Sequence, residues 1–247
     1  MARTPAPAGA ASPHGMALEF LRQHSLTSLV QRELEHQIES GDLAPGAKLN
    51  EADVAADLRV SRGPVREAFR ALEQAGLVRT EKNRGVFVRQ VSLAEADEIY
   101  EVRAALEAVI GRLAAKRARP EDVSALRALV KRMQAVARSR DADAYLPLNL
   151  QFHDALAQAT GNSALLANYR RVIKVLNLFR RETLARRVEN IPISTRDHEA
   201  IVHAIAKGDE KLAERLLVEH TINSRERLHR ALRQPSASVA KRVREAA

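Results

Sequence analysis

Two helix-start signals in this chain stand so close together that the helix between them can hold no more than about two turns. Asn50 is a good N-cap, with Asp53 in the first turn after it and Leu49 placed to meet Val54 as a hydrophobic staple. Ser61 is the next good N-cap, with a hydroxyl that can accept from a free N–H of the first turn. Pro64 falls inside that turn, where a missing N–H removes no intrahelical bond. The helix opened by Asn50 can therefore run only to about Leu58, and the one opened by Ser61 ends near Ala75 and Gly76. Before them, Leu26, Leu29, Val30, Leu34 and Ile38 keep helical spacing from about Ser25 to Ser40, and Gly41 stops the pattern. A turn follows, then a short extended piece at Lys48-Leu49. Two short helices joined by so tight a turn form a helix-turn-helix.

The last of these helices carries Arg62, Arg66 and Arg70 four residues apart, a basic stripe, while Val65, Phe69 and Leu72 lie on another face and can pack inward. Its N-terminus offers free N–H groups and a partial positive charge, which suit a phosphate. Alone, the stripe is equally the solvated face of a surface helix. Its flank decides between the two. Leu77 to Thr80 and Val86 to Val88, joined by a polar turn at Glu81 to Gly85, predict a β-hairpin with basic residues at its tip. Between Arg59 and Arg89 eight Lys/Arg face three Asp/Glu, about +5, whereas residues 25–90 as a whole balance to zero. Positive charge concentrated on one helix and one hairpin predicts double-stranded DNA as the partner. The formal charge of +9 and pI of 10.3 for the whole chain agree with a polyanionic partner. Aromatic content of 3% without Trp disfavours a stacking platform for single strands.

The segments Leu49-Asn50-Glu51, Val60-Ser61-Arg62, Pro64-Val65-Arg66-Glu67-Ala68 and Glu73-Gln74-Ala75-Gly76-Leu77-Val78 resemble, in order and spacing, the signature of GntR-type transcription regulators. The resemblance implies a winged helix-turn-helix over residues 25–90, with the third helix in the major groove and the wing in the adjacent minor groove. It implies that Arg62 and Arg66 contact bases or phosphates near the operator centre and that Ser61 holds a phosphate. Arg84 and Gly85 then form the wing tip, and Arg70 extends the stripe. Gly63 stands where the family usually has Thr, removing a hydroxyl contact. Ala52 stands where some members carry a DNA-contacting Arg, and Phe69 where Leu is common.

Outside this region the sequence bounds the molecule in several ways. A length of 247 residues fits two domains. Cysteine is absent, so there is no disulfide framework or thiolate metal site, and a cytoplasmic setting is expected. Apolar runs are only a few residues long, so no transmembrane helix and no membrane partner are expected. Residues 1–24, rich in Ala, Pro and Gly without an apolar core, read as a disordered leader, and 234–247 as a flexible basic tail.

After a linker at Arg89 to Ser92, residues 93–233 read as amphipathic helices, about 93–119, 121–139, 142–160, 163–187, 195–207 and 209–233, with Pro192 in a loop. The fold class is therefore mainly α, the winged region joined to an antiparallel bundle of six to seven helices. Histidines fall on the apolar stripes of three of these helices: His153 with Phe152 and Leu156, His198 with Ile201 and Ile205, and His220 with Leu216 and Leu217. His203 faces the polar side. One inward histidine is usually a satisfied core residue; three on separate helices, with Asn149 one turn before His153, can form a mixed N/O site for a divalent metal. Imidazole-rich ligation suits zinc or nickel best, with manganese possible. The pattern Asn149-x-x-Phe152-His153, Gly161-Asn162, His198, Gly208-Asp209 and His220 is similar to the FCD-type effector domain of the FadR branch. That resemblance implies a metal held by Asn149, His153, His198 and His220, with coordination completed by a small carboxylate. Asn149 stands where Asp is often found. Arg103 lies on the inward stripe of Ile99, Leu106, Ile110 and Leu113, so it needs an anionic partner. Two partners are open: Glu107 one turn on, or an effector carboxylate, the role the resemblance implies.

These readings combine into a homodimeric, sequence-specific regulator, a repressor more readily than an activator, whose grip on a palindromic operator is controlled by a small carboxylate effector. Two alternatives are a metal-dependent enzyme and an effector-independent structural DNA-binding protein. The enzyme needs a base beside the histidines, and Asp154 and Glu199 fall off their helical faces.

Overall fold

Each of the three N-terminal helices begins where a short polar side chain precedes a helical stretch. A computed structural model describes residues 25–139, 141–184 and 190–233; the expected leader and tail lie outside the described residues. Helix α1, Leu26–Ser40, is capped by Ser25, whose hydroxyl accepts from the Ser28 N–H, and it ends at Gly41 in the left-handed conformation (φ 85°). Strand β1, Lys48–Leu49, leads into α2, Glu51–Asp57, where the Asn50 side chain accepts from the Ala52 N–H. Helix α3 spans Arg62–Gln74, and the hairpin strands are β2, Val78–Glu81, and β3, Gly85–Val88.

The extended piece at Lys48-Leu49 is a third strand: the sheet order is β1-β3-β2, antiparallel, with Lys48 opposite Phe87 and Val78 opposite Val88. Val30, Leu34, Ile38, Leu49, Val65, Phe69, Leu72, Leu77 and Val88 are buried together in this unit. Burial of each large side chain contributes about 1.5–3 kcal/mol. The turn between α2 and α3 places Arg59 at φ 53°, with its N–H on Ala56 O and the Val60 N–H on Ala55 O. A left-handed residue with a Cβ costs roughly 1–2 kcal/mol, so the helix-turn-helix geometry is held against local strain.

The chain divides at Arg89 and Gln90 into two compact units. The second is helical throughout its described residues: α4 Leu93–Arg117, α5 Pro120–Ser139, α6 Ala142–Ala159, α7 Ser163–Leu184, α8 Ile191–Ala206 and α9 Glu210–Arg233. Ser92, Asp141, Asn162 and Asp209 supply capping oxygens to α4, α6, α7 and α9. One expectation is corrected. Pro192 is not in a loop but in the first turn of α8, where proline is tolerated because the first N–H groups have no intrahelical partner. The expected end of α7 near residue 187 lies outside the described residues.

Helices α4 and α9 pack along each other so closely that a Cβ on Gly111 would sit 2.7 Å from the Ala213 carbonyl oxygen. Helix α5 packs against α6 and α8. Ile110, Leu126, Met133, Phe152, Leu156, Ile201 and Leu217 form one core. Among the described residues no helix is long and apolar enough to cross a membrane.

Candidate functional site

Ser61, Arg62, Gly63, Arg66 and Arg70 are all exposed along α3, and Arg84 and Gly85 are exposed at the hairpin turn. Ser61 occupies the N-cap position, but its hydroxyl makes no capping bond. The reason lies in the sequence of the turn: Pro64 is the third helical residue and lacks one of the two N–H groups that a serine cap uses. The arginines are not bare. Arg66 donates through Nε and Nη2 to Glu51 of α2, at 3.1 and 2.9 Å, and Arg70 pairs with Glu67 at 2.7 Å. The bond to Arg66 lowers the Glu51 pKa from its ordinary value and raises that of Arg66. At the wing, Glu81 pairs with both Arg79 and Arg84, and Arg84 lies over the Phe87 ring at 5.6 Å.

Two glycines of this surface differ in cause. Nothing lies within 4 Å of a Cβ built on Gly63, so space does not demand glycine there. Gly85 has φ 110°, and a Cβ would meet Lys48 Cε at 3.2 Å. Lys48 of β1, exposed beside the wing tip, was missed by the sequence reading because its nearness to Gly85 depends on the β1–β3 pairing.

In the helical unit, α6, α8 and α9 bring His153, His198 and His220 together. They are 5%, 0% and 3% exposed, and one ligand atom from each lies within 4.8 Å of the others. Their ring centroids are 4.7–5.2 Å apart. Burial, and then the neighbouring imidazoles, push the His198 and His220 pKa well below the ordinary histidine value, so both rings are neutral with a lone pair to offer. Asn149 is buried one turn before His153, on the same face of α6. His203 is exposed, as its spacing predicted.

Carboxylates stand behind two of the three rings. Glu107 Oε1 is 3.3 Å from His153 Nδ1 and accepts from Tyr169 Oη at 2.8 Å, while its other oxygen accepts from Thr221. Asp197 Oδ2 is 3.1 Å from His220 Nδ1 and 3.8 Å from Arg227 Nη1. Such contacts orient an imidazole and leave its Nε2 for a metal. His198 has neither ring nitrogen hydrogen-bonded among the described residues. Buried polar atoms without partners are costly, and three converging imidazoles are a group that could ligate a metal ion.

Arg103 makes the local pair: Nε and Nη2 donate to Glu107 Oε1 at 2.9 and 2.8 Å. Its Nη1 is buried with no hydrogen-bond partner among the described residues, so the pair leaves one donor for another anion. Burial raises the cost of charge on Glu107, but Arg103 and then His153 outweigh it and hold the carboxyl well below the usual range. Asp154 pairs with Arg170 and Glu199 lies beside Gln134, so neither faces the histidines. Glu107 and Asp197 do, and the sequence reading missed both in that role. Glu107 was visible only as the one-turn neighbour of Arg103, and Asp197 points off its own helix toward a histidine of α9.

A winged helix-turn-helix followed by an all-helical unit is the architecture of a class of bacterial DNA-binding regulators. The chain belongs to the GntR family of bacterial regulatory proteins, in the branch with an FCD domain: residues 26–88 match the GntR model and 98–223 the FCD model. It is 32% identical over 203 residues to the "Probable D-xylose utilization operon transcriptional repressor" of Paenarthrobacter nicotinovorans, covering 81% of this chain and 87% of that one. It is 27% identical to the gluconate operon transcriptional repressor of Bacillus licheniformis, covering 78% and 81%. Its fold is similar to that of Escherichia coli McbR/YncC, with a TM-score of 0.72 at 23% identity, covering 84% and 98%. The chain is thus a DNA-binding transcription regulator and not an enzyme.

Proposed function

We propose that the helical unit holds a divalent metal ion through His153, His198 and His220, with Asn149 as an oxygen donor, and that a small carboxylate effector binds there to control operator affinity. The observation that carries this is the burial of three imidazoles from three helices, close enough to share one ion, with the His198 nitrogens unbonded among the described residues. The donor set fits: imidazoles and an amide suit zinc or nickel ahead of manganese. A bound ion supplies a positive centre for an effector carboxylate, and Arg103 Nη1 supplies a second anionic contact. On DNA, Arg62, Arg66 and Arg70 grip the major groove, Ser61 offers its uncapped hydroxyl to a phosphate, and Arg84 and Gly85 form the wing tip, while Gly63 offers no hydroxyl. Phosphate displaces Glu51 and Glu67 from their arginines. The chain acts as a repressor, as two relatives are named, and as a cytoplasmic homodimer whose two-fold calls for a palindromic operator with matched half-sites. The effector acts by population shift, favouring one arrangement of the DNA-binding units as the operator favours another.

The test is elemental analysis of the purified chain, with thermal shifts on adding zinc, nickel or manganese after chelation. Near-stoichiometric metal, lost in His198→Ala, is expected. A wild-type chain that retains no metal and whose melting temperature ignores all three ions sinks the reading.

A further inference from the structure

We infer that the outer face of the wing sheet is a second phosphate grip, in which Lys48 of β1 holds the DNA backbone from outside the hairpin. Strand pairing decides which side chains meet on that face. Lys48 stands opposite Phe87 across β1 and β3, and Arg79 stands opposite Phe87 across β2 and β3. Side chains alternate along a strand, and those directly opposite in neighbouring strands share a face. Leu49, Val78 and Val88 take the buried face, so Lys48, Phe87 and Arg79 form a row across the other. Lys48 and Arg79 are exposed at its two ends.

Arg84 adds a third cation to the row, its guanidinium 5.6 Å from the centroid of the Phe87 ring. Glu81 answers two of the three, pairing with Arg79 at 2.9 Å and also with Arg84. Lys48 makes no ion pair among the described residues, so its charge is the one that no carboxylate of the wing meets. The lysine is nonetheless placed. Its Cε lies 3.2 Å, and its Nζ 4.0 Å, from where a Cβ on Gly85 would be. The stem therefore crosses the bare glycine and brings the ammonium to the hairpin turn. Glycine at this position meets two demands at once, a φ of 110° and room for Lys48.

Exposed positive charge left without a carboxylate at the wing suits the phosphates of a duplex, the polyanion that a GntR-type unit meets. An ammonium is a point charge that reads no base pattern, so this contact positions the wing and adds affinity without sequence preference. It stands apart from the contacts of α3 and of the wing tip, because Lys48 comes from a strand that precedes the helix-turn-helix. The wing's hold on DNA then depends on the pairing of β1 with β3, and not on the hairpin alone.

The experiment titrates the full chain against two labelled duplexes, one of random sequence and one recovered by in vitro selection, over a range of salt. Lys48→Met keeps the stem and removes the charge, and Lys48→Arg keeps the charge. Lys131→Met removes one exposed charge from α5, in the other unit. Lys48→Met is expected to weaken binding to both duplexes alike and to lower the slope of log affinity on log salt by about one. Its deficit should then shrink about threefold between about 50 and 200 mM salt. Lys48→Arg and Lys131→Met should keep the wild-type slope, and all three variants the wild-type melting temperature. An unchanged slope in Lys48→Met overturns the proposal. So does an equal drop in Lys131→Met, which would make net charge the cause, or an effect of Lys48→Met confined to the selected duplex. Arg62→Ala in the same titration tests α3 separately: unchanged affinity there strikes the α3 reading and leaves the Lys48 result standing.

Discussion

Two ion pairs of this molecule have nearly the same length and opposite surroundings. Arg66 of α3 reaches Glu51 at 2.9 Å, with side chains 57% and 33% exposed; Arg103 reaches Glu107 at 2.8 Å in the bundle, both 1% exposed. In water the first pair is screened and exchangeable, so a phosphate can take the place of the glutamate. In the interior the second is fixed, because removing either member leaves a buried charge with no solvent to receive it. One chemical pair is thus exchangeable where it stands in water and a fixed part of the scaffold where it is buried beside the histidines. Distance alone would not have told them apart.

The contrast can be broken or sharpened by measurement. Glu107→Gln should give the largest effect, destabilising the helical unit by about 3–5 kcal/mol in urea unfolding, because Arg103 is stranded. A loss below ~1 kcal/mol would erase the distinction between the pairs. Removing metal from the loaded chain with a chelator should remove about 2.7 kcal/mol of stability where free metal stood a hundredfold above its dissociation constant. Calorimetry should place that loss in the helical unit and leave the winged unit's transition unmoved. Arg62→Ala should weaken operator binding by roughly 1–3 kcal/mol with no change in melting temperature; unchanged affinity would remove α3 from the interface. Smallest is Glu51→Gln, which should leave the melting temperature where it was and strengthen binding to any DNA, specific or not, in a titration at low salt. A clear drop in melting temperature there would make the exposed pair a scaffold as well.

Most helices were legible because their signals are local. Asn50, Ser92 and Asp209 cap the helices they precede, and Gly41 stops α1. What escaped depends on partners remote in sequence or on two local rules in competition. Lys48-Leu49 is a strand only because Val86 and Phe87 lie beside it. Ser61 looked like a bonded cap until Pro64 was seen to remove one of its donors. Pro192 read as a breaker although the first turn of a helix admits it. At the histidine centre, helical spacing identified the three inward rings and Arg103. It could not show that Glu107 also meets His153, Tyr169 and Thr221, since those contacts join α4 to three other helices.

Gly111 has a mechanical consequence. With the α9 backbone where its own Cβ would be, α4 and α9 form a seam that neither sliding nor rolling can open without losing close packing. The Tyr100–Ser224 and His229–Asp97 contacts lie along the same pair of helices. Arg103 and Glu107 on one side of the seam, and His220 and Thr221 on the other, are therefore one fixed jaw. The other two histidines, His153 and His198, come from α6 and α8, outside that seam. An enlarged residue at position 111 would therefore push apart the two helices that hold Arg103, Glu107, His220 and Thr221 in place, and so disturb the histidine cluster from a distance.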